Sequence, residues 1–254
     1  MRRLRVHLVR DLELSGICRF AVGFCAVLAS VQAQPQGINL DLDIFDGDPQ
    51  IGNGAPSPQF GGAANQPGYW NRVHAGTPGP EQLLDLSGNP SSVVFRASGG
   101  IGTGIGFRFE GNTGDYALLL NDAAEVGYGG TNYYTLHGLV PGLYRVITYA
   151  VKPQGGYAVT YVTVPGSSSP NPQAVTGPMP GNALSYLVTH SIHEVNVTSG
   201  RLMIEASIGP TNSWVNGMQL VLVPEPAGLV LIGAPLFYVL TRRSATVALM
   251  ESRK

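Results

Sequence analysis

Ile38-Asn39-Leu40-Asp41-Leu42-Asp43-Ile44-Phe45 alternates apolar and polar residues strictly until its last pair. In a β-strand successive side chains point to opposite faces, so this spacing puts Ile38, Leu40, Leu42 and Ile44 on one face and Asn39, Asp41 and Asp43 on the other. A helix of 3.6 residues per turn would scatter both sets around its axis. The stretch predicts a half-buried strand whose aspartate face meets water and whose aliphatic face meets a second layer.

Outward from this strand, short alternating or apolar runs recur at 83–86, 92–97, 105–109, 116–120, 133–136, 143–151, 157–164, 184–190, 194–197, 201–208 and 215–223. Clusters of Gly, Pro, Asn and Ser separate them, which is the pattern of an antiparallel β-sandwich. No stretch between the runs keeps a helical period for three turns, and no repeat of solenoid or propeller length is visible. With 34 glycines, 19 prolines and 12% charged residues in 254, the composition suits many strands and tight turns and disfavours helices. Residues 46–80 and 165–182 read as long coil, and loops of that length at a sandwich rim can carry a binding site.

Both ends read as addresses. Arg2, Arg3, Arg5, Arg10 and Arg19 lead into an apolar run at 20–29, closed by Ser30-Val31-Gln32-Ala33, the three parts of a secretory signal helix cut by signal peptidase. Both cysteines, Cys18 and Cys25, fall in this segment. At the other end Val223-Pro224-Glu225-Pro226 precedes an apolar run at 227–240 and then Arg242-Arg243. The order resembles the PEP-CTERM sorting signal, with Pro224, Glu225 and Pro226 as the motif, a hydrophobic helix, and Arg242 and Arg243 as the basic stop. The resemblance implies recognition by an exosortase, transient membrane anchoring, and a final place at the cell surface or outside the cell. Three features depart from that pattern: the apolar run is shorter than the ~20 residues that cross a bilayer, Pro235 interrupts it, and a tail follows at 244–254. The expected organisation is a signal peptide at 1–33, one ectodomain at 34–223 and a sorting segment at 224–254.

The ectodomain carries, in order, the 38–43 strand, Gly68-Tyr69-Trp70-Asn71, Leu84-Asp85-Leu86-Ser87-Gly88-Asn89, a run from Leu136 through Pro141-Gly142 to Val146, and Asn216-Gly217-Met218-Gln219-Leu220. This order resembles the uncharacterised β domains that precede PEP-CTERM signals, which are similar to galactose-binding-like jelly rolls. The resemblance implies an all-β jelly-roll sandwich and, as a ligand class, glycans or exopolysaccharide.

Three site readings follow. Tyr69, Trp70 and Asn71 form an aromatic island in a polar loop, where an aromatic face can stack on a sugar ring and an amide can bond its hydroxyls. Trp214, at the start of an apolar strand, reads as core. Asp41, Asp43, Asp46 and Asp48 form an acidic cluster, but Phe45 and Asp46 stand where an EF-hand needs Asp or Asn and then Gly. The residues favour a solvated strand face; the resemblance implies the alternative, a structural calcium on those four aspartates. No other cofactor is expected.

An enzyme is not expected. His190 and His193 are three apart, on opposite faces of a strand. Ser91, Ser92 and Ser213 lack a nucleophile elbow, and no carboxylate pair has the setting of a glycosidase. The net charge of −1 combines arginine-rich ends with an acidic middle, which excludes nucleic acid as a partner. The reading reached is an exported structural or interaction protein of the cell surface. The alternative is a carbohydrate-binding module, and the lesser alternative is a secreted hydrolase.

Overall fold

The first strand, β1 (Gly37–Asp43), forms where its alternation predicts it. After it come β2 (Trp70–His74), β3 (Glu81–Leu84), β4 (Pro90–Gly99), β5 (Ile101–Gly106), a short helix α1 (Asp115–Leu120), β6 (Asp122–Val126), β7 (Thr131–His137) and β8 (Gly142–Tyr149). Then follow β9 (Thr160–Thr163), β10 (Gln173–Val175), β11 (His190–Val197), β12 (Arg201–Ile208), β13 (Ser213–Val215) and β14 (Gly217–Leu222). The computed structural model describes residues 36–44, 51–76, 79–127, 130–153, 157–179, 181–209 and 213–224. The expected signal helix, the hydrophobic C-terminal helix, Asp46, Asp48, Glu225, Pro226, Arg242 and Arg243 lie outside these residues.

The strands build three sheets. One runs β11-β8-β14-β1-β2, a second β10-β9-β12-β7-β4-β3, and a third, smaller one β13-β6-β5. Pairing is antiparallel except between β1 and β2, which run parallel. The expected antiparallel sandwich holds for the other strand pairs, and the parallel β1–β2 pair is the exception among the described strands. The first and last strands lie side by side, Ile38 opposite Leu220 and Leu40 opposite Met218.

The two large sheets face each other across one core, a β-sandwich. Ile38, Leu40, Leu42, Val146, Met218 and Leu220 enter it from one sheet, and Phe95, Tyr134, Leu136, Ile204 and Val162 from the other. Each such side chain, fully removed from water, contributes about 1.5–3 kcal/mol before conformational entropy is counted.

The other face of the five-stranded sheet is covered as well. Every residue of β1 is buried, including Asn39, Asp41 and Asp43. The expectation that the two aspartates form a solvated face is therefore overturned. Their face lies beneath the 51–68 segment and α1, which build a second apolar cluster on it from Trp70, Leu119, Leu120, Ile147, Tyr149, Val151 and Met179, with Phe60 and Tyr116 packed alongside. A sheet buried on both faces needs partners for its polar side chains, and the covering segment supplies them. Gln219 donates to Asn39 Oδ1 at 2.9 Å and to the Gly61 carbonyl at 3.0 Å. The Tyr149 hydroxyl donates to Gln219 Oε1 at 2.6 Å and accepts from the Ala63 amide at 2.6 Å. Gly62 lets the backbone come this close: it has φ +57, and a Cβ there would overlap Gln219 and Tyr149.

Residues 116–120 are helical, not the expected strand. Tyr116-Ala117-Leu118-Leu119-Leu120 contains no β-branched residue, and Asp115 stands in the first turn, where a negative charge favours the helix dipole. Asp115 also accepts from the Ser57 amide at 2.6 Å and the Ser57 hydroxyl at 2.9 Å, which ties the covering segment to the helix.

Candidate functional site

Trp70 and Asn71 of the Tyr69-Trp70-Asn71 island are structural. Trp70 is 2% exposed and packs among Leu119, Leu120 and Tyr149, with its indole Nε1 donating to the Phe60 carbonyl at 3.1 Å. Asn71 joins three strands: its Nδ2 donates to the carbonyls of Asn39 and Leu84, both at 3.0 Å, and its Oδ1 accepts from the Leu84 amide at 2.7 Å. Tyr69 alone of the three is exposed, its ring lying over Gly88. The predicted sugar platform is corrected accordingly: the 51–68 segment lies on Trp70 instead of leaving it at a rim. Trp214 is buried as expected, among Ala123 and Ala158. Pro224 is exposed at the end of the described chain.

A groove of about 390 Å³ lies elsewhere, on the outer face of the five-stranded sheet where the covering segment stops short of its β8–β11 edge. Its floor is two cross-strand pairs in register, Arg145 opposite Glu194 and Ile147 opposite Ile192. Ala63 and Ala64 form one wall, and Tyr186, Ser169 and Pro170 line the rest. Arg145 Nη2 lies 3.0 Å from Glu194 Oε1, with the two side chains 50% and 38% exposed. An ion pair that open to water adds little stability, but it leaves donors and an acceptor facing the groove.

Tyr186 is 49% exposed, and its position is built from below. Its ring lies 6.4 Å from His190, which in turn lies 5.8 Å from Tyr149 in a tilted contact. Burial lowers the His190 pKa to about 4, so the imidazole under the tyrosine is neutral at physiological pH. The turn that carries Tyr186 is fastened by Thr189. Its backbone amide donates to the Ser185 carbonyl at 2.8 Å, and its hydroxyl accepts from the Ser185 amide at 2.9 Å. Leu187 in the same turn has φ 60, a left-handed conformation that disfavours a non-glycine residue. These contacts hold the backbone of the turn, and the exposed Tyr186 ring lines the same groove as the charged pair. A second hollow of about 410 Å³ lies between the 108–114 loop and α1, lined by Arg108, Phe109, Glu110, Asn112 and Thr113. It lacks a strand floor and an exposed aromatic.

Buried charge gathers at the first strand. Asp41, Asp43 and Asp122 have no exposed surface. Burial, then the neighbouring carboxylates, push Asp41 and Asp122 well above the usual carboxylate range. Among the described residues no helix is long and apolar enough to cross a membrane.

No family model matches the chain, and no curated protein does. Among solved structures it is similar to a family 61 carbohydrate-binding module in complex with β-1,4-galactotriose, at 15% identity, TM-score 0.29, over 51% of this chain and 88% of that one. It is similar to a family 35 carbohydrate-binding module from Clostridium thermocellum at 16% identity and TM-score 0.29, over 51% of this chain and 98% of that one. A family 115 4-O-methyl-α-glucuronidase with specificity for decorated arabinogalactans matches at 15% identity and TM-score 0.29, over 44% of this chain; the match spans 15% of the glucuronidase's length. Each overlap covers about half of this chain.

Proposed function

We propose that the domain is a carbohydrate-binding module and that the groove at Tyr186, Arg145 and Glu194 is its binding site. The observation that carries the reading is the exposed ring of Tyr186 lining one groove with an accessible Arg–Glu pair on a two-strand floor. A sugar presents an apolar C–H face and a rim of hydroxyls. Tyrosine offers a flat, amphipathic surface for the first. Arg145 offers planar donors, and Glu194 and the Ser169 hydroxyl offer acceptors, for the second. A concave site with an apolar floor and a few fixed polar groups is the usual form of a small-ligand site. The reading is binding rather than hydrolysis, because the lining offers one carboxylate, Glu194, whereas glycoside hydrolysis uses two flanking the scissile bond.

Retention of the full-length protein on insoluble polysaccharides, compared with Tyr186→Ala, tests the proposal. Loss of retention in the variant supports it, and equal retention removes Tyr186 from the site.

Export fits a glycan-binding surface role and rests on the two terminal segments alone. The sorting proposal names an exosortase acting at Pro224, Glu225 and Pro226. Deleting residues 224–243 in the native host should change where the protein ends up, and unchanged localisation would refute it.

A further inference from the structure

Only two of the residues that line the β8–β11 groove are charged, Arg145 and Glu194. They form a cross-strand pair, with Arg145 Nη2 3.0 Å from Glu194 Oε1. The main chain at Glu194 is fastened by the 167–169 segment. Its amide donates to Ser169 Oγ at 3.0 Å, and its carbonyl accepts from the Ser168 amide at 2.8 Å and the Ser167 hydroxyl at 3.0 Å. The Glu194 side chain itself is 38% exposed.

The pair decides what kind of sugar the groove takes. A guanidinium donor and a carboxylate acceptor side by side match two neighbouring ring hydroxyls, one accepting from Arg145 and the other donating to Glu194. Neither hydroxyl carries charge, so the ion pair stays balanced around a neutral sugar. A uronate, sulfate or phosphate group is matched by the guanidinium alone. It would enter against the carboxylate that already sits on Arg145 and put two anions around one cation, and no other lining side chain is cationic. Like charges brought together on binding suppress the wrong partner. A repulsive element of this kind is one way a site is made specific against a close competitor.

We propose that Glu194 is the specificity-determining residue of the groove: it restricts the site to neutral polysaccharide, held through adjacent hydroxyls, and turns away polyanionic chains. This selection presupposes that the groove binds glycan, and adds the class of sugar and the residue that chooses it.

The test is affinity electrophoresis of the full-length protein through gels holding a neutral polymer (galactan, mannan or β-glucan) or an acidic one (polygalacturonate or alginate), at low and at physiological salt. Wild type should be retarded by a neutral polymer and run free through both acidic ones. Glu194→Gln removes the negative charge and keeps a side chain of nearly the same shape. It should bind the neutral polymer more weakly, because an amide is the poorer acceptor, and bind polygalacturonate at least about tenfold more tightly than wild type does. That gain should fade with added salt, as expected of an exposed charge contact. Opposite changes on the two polymers cannot come from loss of fold, which weakens both. Arg145→Gln, which lacks the cation, should bind no acidic polymer. Wild type retarded equally by acidic and neutral polymers overturns the proposal and leaves the groove standing. So does a folded Glu194→Gln variant that gains no acidic polymer; Glu194→Ala provides the same arm should Glu194→Gln not fold. Wild type retarded by no polymer overturns the glycan reading of the groove, and the selection with it.

Discussion

Replacing Trp70 with alanine separates a core residue from a binding platform. The indole is 2% exposed, lies 5.9 Å from the Phe60 ring and 6.5 Å from the Tyr149 ring, and donates to the Phe60 carbonyl. Large-to-small substitution of a buried tryptophan costs about 3–5 kcal/mol, from lost transfer free energy and the cavity left behind. The Phe60 carbonyl also loses its donor, worth about 1 kcal/mol where no water replaces it. The expected loss is therefore about 4 kcal/mol, roughly 10 °C of melting temperature for a domain of this size. Urea denaturation followed by far-ultraviolet circular dichroism measures it without relying on the fluorescence of the deleted residue. Trp70→Phe, which keeps most of the packing, should lose less than half as much. A loss below about 1 kcal/mol for Trp70→Ala would mean the ring is not enclosed, and would restore it as a candidate sugar platform.

Gly62→Ala should destabilise by about 2 kcal/mol or more in the same assay, because the new Cβ overlaps Gln219 and Tyr149 at a positive φ. His193 is fully buried with neither ring nitrogen hydrogen-bonded, and burial lowers its pKa to about 4. The folded state thus resists a proton that the unfolded state accepts below about pH 6.5. The stability that depends on its neutrality is full above that pH and drains as pH falls towards 4, by at most about 3 kcal/mol. The difference in denaturant midpoint between wild type and His193→Gln isolates this term; a difference that stays constant from pH 7 to 4 would refute it. His190, lowered to about 4 by the same cause, should behave alike. Tyr186→Ala should leave the urea midpoint unchanged within about 0.5 kcal/mol, as expected for an exposed side chain away from the core, and a larger loss would make Tyr186 a packing residue.

The strand content was legible because the alternation in 38–43 and the turn residues between later runs are local signals. The helix at Asp115–Leu120 was also written locally, in Ala117 and three leucines after an acidic first-turn residue, and a strand reading of that apolar run passed over its lack of β-branching. The burial of Asp41 and Asp43 was not legible, since it depends on the 51–68 segment folding over a sheet face that in most sandwiches meets water. Trp70 was misplaced for the same reason: the polar loop before it reads as a rim but serves as a cover. The groove escaped notice because Arg145 and Glu194 become neighbours only through the β8–β11 register, which no local pattern encodes. A partial signal was present in Tyr186, an isolated aromatic between Ser185 and Leu187 in a segment read as strand. Asp122 next to Asp41 is likewise a tertiary fact, joined through the third sheet.

The central claim is that sugar is held at the β8–β11 groove and not at the aromatic island before β2. A glycan array probed with wild-type protein, Tyr186→Ala and Tyr69→Ala tests it most directly, since both tyrosines are exposed and both variants should fold. The account predicts that wild type and Tyr69→Ala bind the same glycans while Tyr186→Ala loses them. Binding that survives Tyr186→Ala and disappears in Tyr69→Ala, or no glycan bound by the wild-type protein, would contradict it.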